Sequence, residues 1–315
     1  MMRYIGHMTL IDQWYNENNI TGLLAEYRKE HALSLVLGAG VSLGFGLPGW
    51  PQLINLLGTD LGLEYPDTPN EKQYLLKKAQ WLEDQYNLKN NPDVPSGQYS
   101  FSRVVRDVLY RDYSMEPDGK ELLESITALC CNTKYGQVDN ILTFNFDDII
   151  EERLLSFGLD VSTRSFNDER MAYSDVTVYH AHGYLPQHSE KCSDQIVLGT
   201  TSYQQMCHEY WDWYIAFTSM LRRNFCLFIG ISGDDENMQK LLTTAFDYRR
   251  QHSGVCDLFW GASFVIGADA EKEKRWREWG IFPIVVKSGK EIHKRLFNIA
   301  RYYASLNRYE QRGLW

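Results

Sequence analysis

The sequence predicts an α/β fold: a mostly parallel, Rossmann-like sheet, an inserted helical sub-domain and no zinc ribbon. Three observations carry this prediction. Short apolar runs of strand length alternate with helix-length periodic patterns over most of the chain, as in successive βαβ units. The first apolar run closes in Gly38-Ala39-Gly40, the way a buried parallel strand ends. The cysteines, Cys130, Cys131, Cys192, Cys207, Cys226 and Cys256, contain no C-x-x-C pair, so a four-cysteine zinc module has nothing to build from.

The elements follow in order. Within residues 8–30, Leu10, Ile11, Trp14, Ile20, Leu23 and Leu24 are spaced for one or two short helices. Ala32–Leu37 is a compact apolar run and reads as a buried strand. The uncharged stretch 32–50 is not a membrane span, because five glycines and a proline interrupt it. Pro51 stands at an early position of a helix running through Leu57. Residues 60–100 are polar and punctuated by Pro66, Pro69, Pro92 and Pro95, with a helical stretch at 71–85. Residues 101–131 are helical again, with Phe101, Val104, Val105, Val108 and Leu109 on one stripe. We therefore expect a single domain over 1–315 with a helical insertion at about 58–135. Expected strands are 140–144, 176–181, 195–198, 225–231, 256–266 and 282–287. Expected helices are 148–156, 202–223, 236–251, 270–279 and 289–306, with a polar tail or contact surface near Asn307–Trp315.

Composition narrows the function classes. At 315 residues the chain can bury a sizeable core, and its 9 Trp and 20 Tyr argue against disorder. The formal charge of −9 and scattered basic residues exclude a broad nucleic-acid footprint. No basic segment leads into an apolar one at the start, so the expectation is a cytoplasmic protein with reduced cysteines.

Four constellations carry the chemistry. The first is Gly38-Ala39-Gly40-Val41-Ser42. Small residues after a strand let the backbone approach a pyrophosphate, and equally permit a tight turn with close packing. The spacing is not a strict G-x-G-x-x-G, since position 43 is Leu. The second is Thr143-Phe144-Asn145-Phe146-Asp147-Asp148, polar residues at the expected C-terminal end of a strand. Asn145 offers a donor and an acceptor to an amide, a ribose hydroxyl or water, while Asp147 or Asp148 equally suits a helix N-cap. The third is His180-Ala181-His182-Gly183. A histidine leaving a strand for a loop can take a proton at neutral pH, and the H-x-H spacing faces one side if the strand persists. A metal would need further ligands at recognisable spacing, and none is present, so no metal is expected. The fourth runs from Gly230 to Asn237. Gly230 and Ser232 suit a loop against a phosphate or ribose, and Asp234 or Asp235 suits a helix cap.

Taken in order, these segments resemble the sirtuin family, and in particular its prokaryotic SIR2-like branch of antiviral defence proteins. The G-A-G-x-S loop is matched by Gly38, Ala39, Gly40 and Ser42, and the Asn-x-Asp element by Asn145 and Asp147. The His-Gly pair is matched by His182 and Gly183, and the late Gly-x-Ser turn by Gly230 and Ser232. The resemblance spans about residues 30–290. The chain departs from the protein-deacetylase pattern. Its zinc ribbon is missing, the loop after Ser42 lacks the arginine, and Thr143-Phe144 stand where a glutamine accompanies the Asn.

The resemblance implies an NAD+ glycohydrolase that releases nicotinamide and ADP-ribose, depleting cellular NAD+ as an antiphage effector. NAD+ would be the substrate. Gly38, Ala39, Gly40 and Ser42 would hold the pyrophosphate, with Gly230 and Ser232 supporting the phosphate–ribose region. Asn145 would position the nicotinamide ribose or water, Asp147 the nicotinamide side, and His182 the ribose hydroxyls, as base. It also implies a homo-oligomer and a separately encoded ATPase, helicase or phage-sensing subunit, with no nucleic acid or membrane contact. An NAD-dependent protein deacylase and a non-catalytic NAD-binding sensor or scaffold are the alternatives. A dehydrogenase is disfavoured by the lack of an acidic ribose clamp about 20 residues after the glycine loop.

Overall fold

The structure, a computed structural model, describes residues 33–66, 74–90, 100–114, 117–132, 137–165, 174–188, 192–193, 195–206, 211–252 and 259–311. Its seven strands are β1 (Leu33–Leu37), β2 (Val138–Thr143), β3 (Val161–Arg164), β4 (Val176–His180), β5 (Phe225–Ile229), β6 (Gly261–Ile266) and β7 (Ile281–Val286). They form one sheet in the order β3-β4-β2-β1-β5-β6-β7, and every neighbouring pair is parallel. This is a Rossmann-like α/β sheet. β1 and β5 are buried at every position, which is why they read as unbroken apolar runs rather than alternating ones.

Alternation still decides which face each residue covers. Leu33, Leu35 and Leu37 enter one core with Ile141, Leu227 and Ile229, while Val36 joins Leu142, Cys226 and Phe228 in a second core. The first core also takes in the helices that lie between β1 and β2: α1 (Trp50–Leu61), α2 (Tyr74–Lys89), α3 (Phe101–Leu109) and α4 (Pro117–Cys130). Proline in its first turn starts α1, and Gly62, at φ 63°, ends it in the left-handed conformation. The remaining helices are α5 (Ile149–Ser156), α6 (Thr200–Met206), α7 (Trp211–Arg223), α8 (Glu236–His252), α9 (Ala270–Glu278) and α10 (Gly289–Gln311). α10 packs along α4, and α7 along α8. Among the described residues no helix is long and apolar enough to cross a membrane.

The structure differs from the expectations at several points. Residues 195–198 form no strand; they run as a buried connector, held by the Val197 amide on the His182 carbonyl at 2.8 Å. β3 was not expected, because Val161-Ser162-Thr163-Arg164 has no apolar run. The helical stretch 101–131 is two helices, broken after Leu109. Near the C-terminus, α10 continues through Gln311 where a tail was expected. The expected helices at 8–30 lie outside the described residues.

The position of the site follows from the sheet order. After β1 the chain builds one half, β2, β3 and β4, then crosses to the other side of β1 for β5, β6 and β7. In open parallel sheets a crevice forms at this reversal, outside the carboxyl ends of the strands. The loops after β1, β2, β4 and β5 all emerge there.

Candidate active site

The loops after β1 and β5 are locked backbone to backbone. The Gly38 amide donates to the Ile229 carbonyl and the Gly40 amide to the Gly230 carbonyl, each at 3.0 Å. A Cβ on Gly38 would meet the Gly230 oxygen at 2.7 Å, one on Gly40 the Gly230 Cα at 2.7 Å, and one on Gly230 the Val41 nitrogen at 2.7 Å. Gly230 also has φ 70°. The three glycines therefore let two loops touch. The same geometry uses up the loop's donors. The Val41 and Ser42 amides bond the Gly38 and Ala39 carbonyls in two tight turns. Of the amides from Gly38 to Ser42, the one on exposed Ala39 is left to face an anion.

A hydrogen-bond relay joins this loop to the one after β2. Asn145 Nδ2 donates to the Gly38 carbonyl at 3.1 Å and to Ser42 Oγ at 3.0 Å. Ser42 Oγ in turn donates to Asp147 Oδ2 at 2.8 Å. The Gly38 carbonyl can only accept, which fixes the amide orientation. Both Nδ2 hydrogens are spent inside the protein, and Oδ1 of the half-buried Asn145 makes no hydrogen bond within it. Asp147 is buried, and its carboxyl is raised to about 6. Burial is the main cause and the neighbouring Glu151 adds to it, against the Ser42 hydroxyl, His180 and the Ile149 amide.

The two histidines do different work. β4 ends at His180, so the pair does not share a strand face as the H-x-H spacing implied. His180 is fully buried, with Nδ1 on the Asn145 carbonyl at 2.9 Å and Nε2 on Glu151 Oε1 at 2.6 Å. Both partners are acceptors, so the ring carries both protons when Glu151 is ionised. Burial lowers its pKa, but Glu151 and the Asn145 carbonyl outweigh that and hold it above the ordinary value. His182 lies in the following turn and packs against the rings of Phe144, Phe146 and Tyr203. Burial lowers its pKa, opposed by Asp235 and by a hydrogen bond to the Phe144 carbonyl. The ring is therefore neutral, and its buried Nε2 has no hydrogen-bond partner.

Of the residues singled out in the sequence, Gly38, Gly40, Ser42, Asn145 and Asp147 form one bonded cluster, with Gly230 packed beneath it. His182 is tied to it through Phe144 and Phe146. Ser232 is exposed, its Oγ accepting from the Asp234 amide at 3.3 Å, and makes no bond to the cluster. Asp148 turns away toward α3: Tyr110 Oη donates to its Oδ1 at 2.8 Å, and it accepts the Gln187 amide at 3.0 Å. Sequence reasoning missed Glu151, Tyr110 and Tyr203. Glu151, one helical turn beyond Asp147, was the most visible of them, since a buried acid on that face needs a partner. Among the described residues no group of three or more His, Cys, Asp and Glu side chains is placed to hold a metal ion.

Known proteins supply an independent view. The model of a family described as a SIR2-like domain matches residues 139–284, a span that includes Asn145, His182 and Gly230 but not the Gly38 loop. A solved structure described as the structural basis for the mechanism and regulation of Sir2 enzymes aligns with 90% of this chain and 96% of that chain, at 12% identity and a TM-score of 0.46. No curated protein matches the chain.

Proposed function

We propose that this chain binds NAD+ at the crevice between β1 and β5 and hydrolyses its nicotinamide–ribose bond. The observation that carries the reading is the pair of bare acceptors, Asn145 Oδ1 and His182 Nε2, on loops that converge where a parallel sheet binds dinucleotides. The match of residues 139–284 to a SIR2-like domain supports it. Nicotinamide leaves ribose C1′ as a neutral base, so the protein need not supply a strong acid. It must orient the dinucleotide, exclude bulk water and favour the cationic centre. Ala39 and the turn through Ser42 face the pyrophosphate. Asn145 Oδ1 accepts a hydrogen from the attacking water or from a ribose hydroxyl. As the C1′–N bond breaks and the C1′–O bond forms, a proton passes to His182 Nε2, which neutral imidazole can accept. The products are nicotinamide, ADP-ribose and a proton. Asp147 acts at one remove, holding Ser42 and through it the Asn145 amide.

Loss of NAD+ as an antiphage response, self-assembly and a separately encoded activating subunit belong to the same proposal and rest on the family resemblance. The test is direct. The purified chain, with any neighbouring gene product, is incubated with NAD+, and nicotinamide, linear ADP-ribose and cyclic product are separated. Asn145→Ala and His182→Ala are each expected to lose at least about 100-fold in turnover, the scale of a removed acid–base or electrostatic group, with the fold retained. Near-normal cleavage by either variant refutes its assignment. Peptide deacylation in step with nicotinamide release would instead identify a deacylase.

A further inference from the structure

Two buried ionisable groups beneath the crevice take no part in the chemistry above: His180 at the end of β4, and Glu151 in the first turn of α5. An apolar pair of the same volume often serves stability as well or better. Here the case for stability is weaker still, because Glu151 Oε2 is buried with no hydrogen-bond partner. What the imidazole has, and an apolar ring lacks, is a donor on each of two edges. Nε2 donates to Glu151 Oε1 at 2.6 Å, and Nδ1 donates to the Asn145 carbonyl at 2.9 Å. Thr163 on β3 donates to the same Glu151 oxygen at 3.3 Å, so the carboxylate that orients the ring is itself held. Among the described residues the Asn145 carbonyl has no other hydrogen-bond partner. Asn145 is thereby gripped from two sides. The loop after β1 holds its side-chain amide, and His180 ties its main chain to β4 and, through Glu151, to α5.

We infer that His180, oriented by Glu151, is a positioning residue for Asn145: its Nδ1–H holds the Asn145 carbonyl and so sets where Oδ1 stands against the reacting groups. The inference rests on the NAD+-cleaving reading above. His180 is fully buried, so it acts through one peptide group and not on the substrate itself. A displaced Asn145 backbone moves the acceptor out of line, and misplacement on the ångström scale is costly in turnover.

Two amide substitutions separate the two edges of the ring. Asparagine carries its amide nitrogen near the place of Nδ1, and glutamine near that of Nε2. His180→Asn therefore keeps a donor for the Asn145 carbonyl, while His180→Gln keeps one for Glu151. Both remove the cation, so both share its effect on stability, which melting temperatures check. NAD+ cleavage is measured with any partner the wild type requires. His180→Asn is expected to keep kcat/KM within about threefold of wild type, and His180→Gln to fall at least about tenfold below His180→Asn, the scale of one hydrogen bond. Equal losses in the two folded variants, or the larger loss in His180→Asn, overturn the inference and leave NAD+ cleavage standing. If neither folds, Glu151 carries the test. Glu151→Gln can donate to Nε2 while Nδ1–H stays on the Asn145 carbonyl, whereas Glu151→Ala frees the ring. The first should stay within about threefold of wild type and the second should lose at least about tenfold. Equal values overturn the inference. Failure of wild type to cleave NAD+ overturns the hydrolase reading, and the inference with it.

Discussion

Asp147 shows how a single buried carboxylate trades stability for position. Its pKa is raised to about 6 by burial, so the folded state prefers the protonated acid. The sign follows: this group's contribution is fully present below about 4, the unfolded value, and is lost as pH rises through about 6. At neutral pH the carboxylate is a burden of about 2–3 kcal/mol, from two pKa units at 1.36 kcal/mol each. Asp147→Asn keeps an acceptor for Ser42 without the charge. Its stability relative to wild type should therefore rise between pH 4 and pH 8, measured by urea unfolding at each pH. A flat difference would refute the burial argument. His182 is displaced in the opposite sense. Burial lowers its pKa, so the neutral base persists below the ordinary histidine range. If it is the base, kcat/KM should fall on the acid side only below about pH 6.5. Asp235→Asn, which removes the carboxylate that raises it, should move that limb to still lower pH. Asp235 and Tyr203 are the titratable groups against this ring, while Phe144 and Phe146 present only apolar faces and the Phe144 carbonyl.

At the scale of elements, the decisive contact is the one between the turns after β1 and β5. Gly230 combines φ 70° with a Cβ position 2.7 Å from the Val41 nitrogen, whereas Gly267 has φ 78° with nothing within 4 Å. Gly267→Ala should cost about 1–2 kcal/mol, the left-handed strain alone. Gly230→Ala should cost about 2 kcal/mol more and weaken ligand binding, because backbone atoms must move. Equal losses in the two variants by thermal or urea unfolding would show that the loops separate without penalty. This contrast also marks what could be read from sequence. The glycines were visible, but not their partners, which come from a distant strand. β1 and β5 were legible because buried parallel strands are continuous apolar runs ended by small or polar residues, while β2 showed through Ile141-Leu142 and β4 through the alternation of Val176 and Val178. β3 was not, since an edge strand half open to water needs no such run. Ile196-Val197-Leu198 misled for the converse reason: a buried connector has the same composition as a strand, and only the missing ladder tells them apart.

For the whole molecule, parallel strands put every carboxyl end on one side, so the cluster of Asn145 with Ser42 was within reach of sequence reasoning once the strands were ordered along the chain. The sheet order was not, because nothing local says that β4 inserts between β2 and β3 or that β5 returns beside β1. Nor did the sequence reveal Tyr110 or Tyr203, aromatic residues whose hydroxyls reach Asp148 from the turn ending α3 and Asp235 from α6. The crevice is framed by loops from both halves of the sheet. A ligand held there touches segments that otherwise meet mainly through β1, and it stabilises only the folded arrangement. At a concentration of about 100 Kd, ADP-ribose should add about 2.7 kcal/mol and raise Tm by several degrees. AMP, which lacks the second phosphate and ribose, should shift it less at the same concentration. Asn145→Ala should weaken the ADP-ribose shift if Oδ1 meets the ribose, and should leave it intact if Oδ1 serves only the attacking water. No shift with NAD+, ADP-ribose or AMP, over a range in which differential scanning fluorimetry reports reversible unfolding, would remove this crevice as a dinucleotide site.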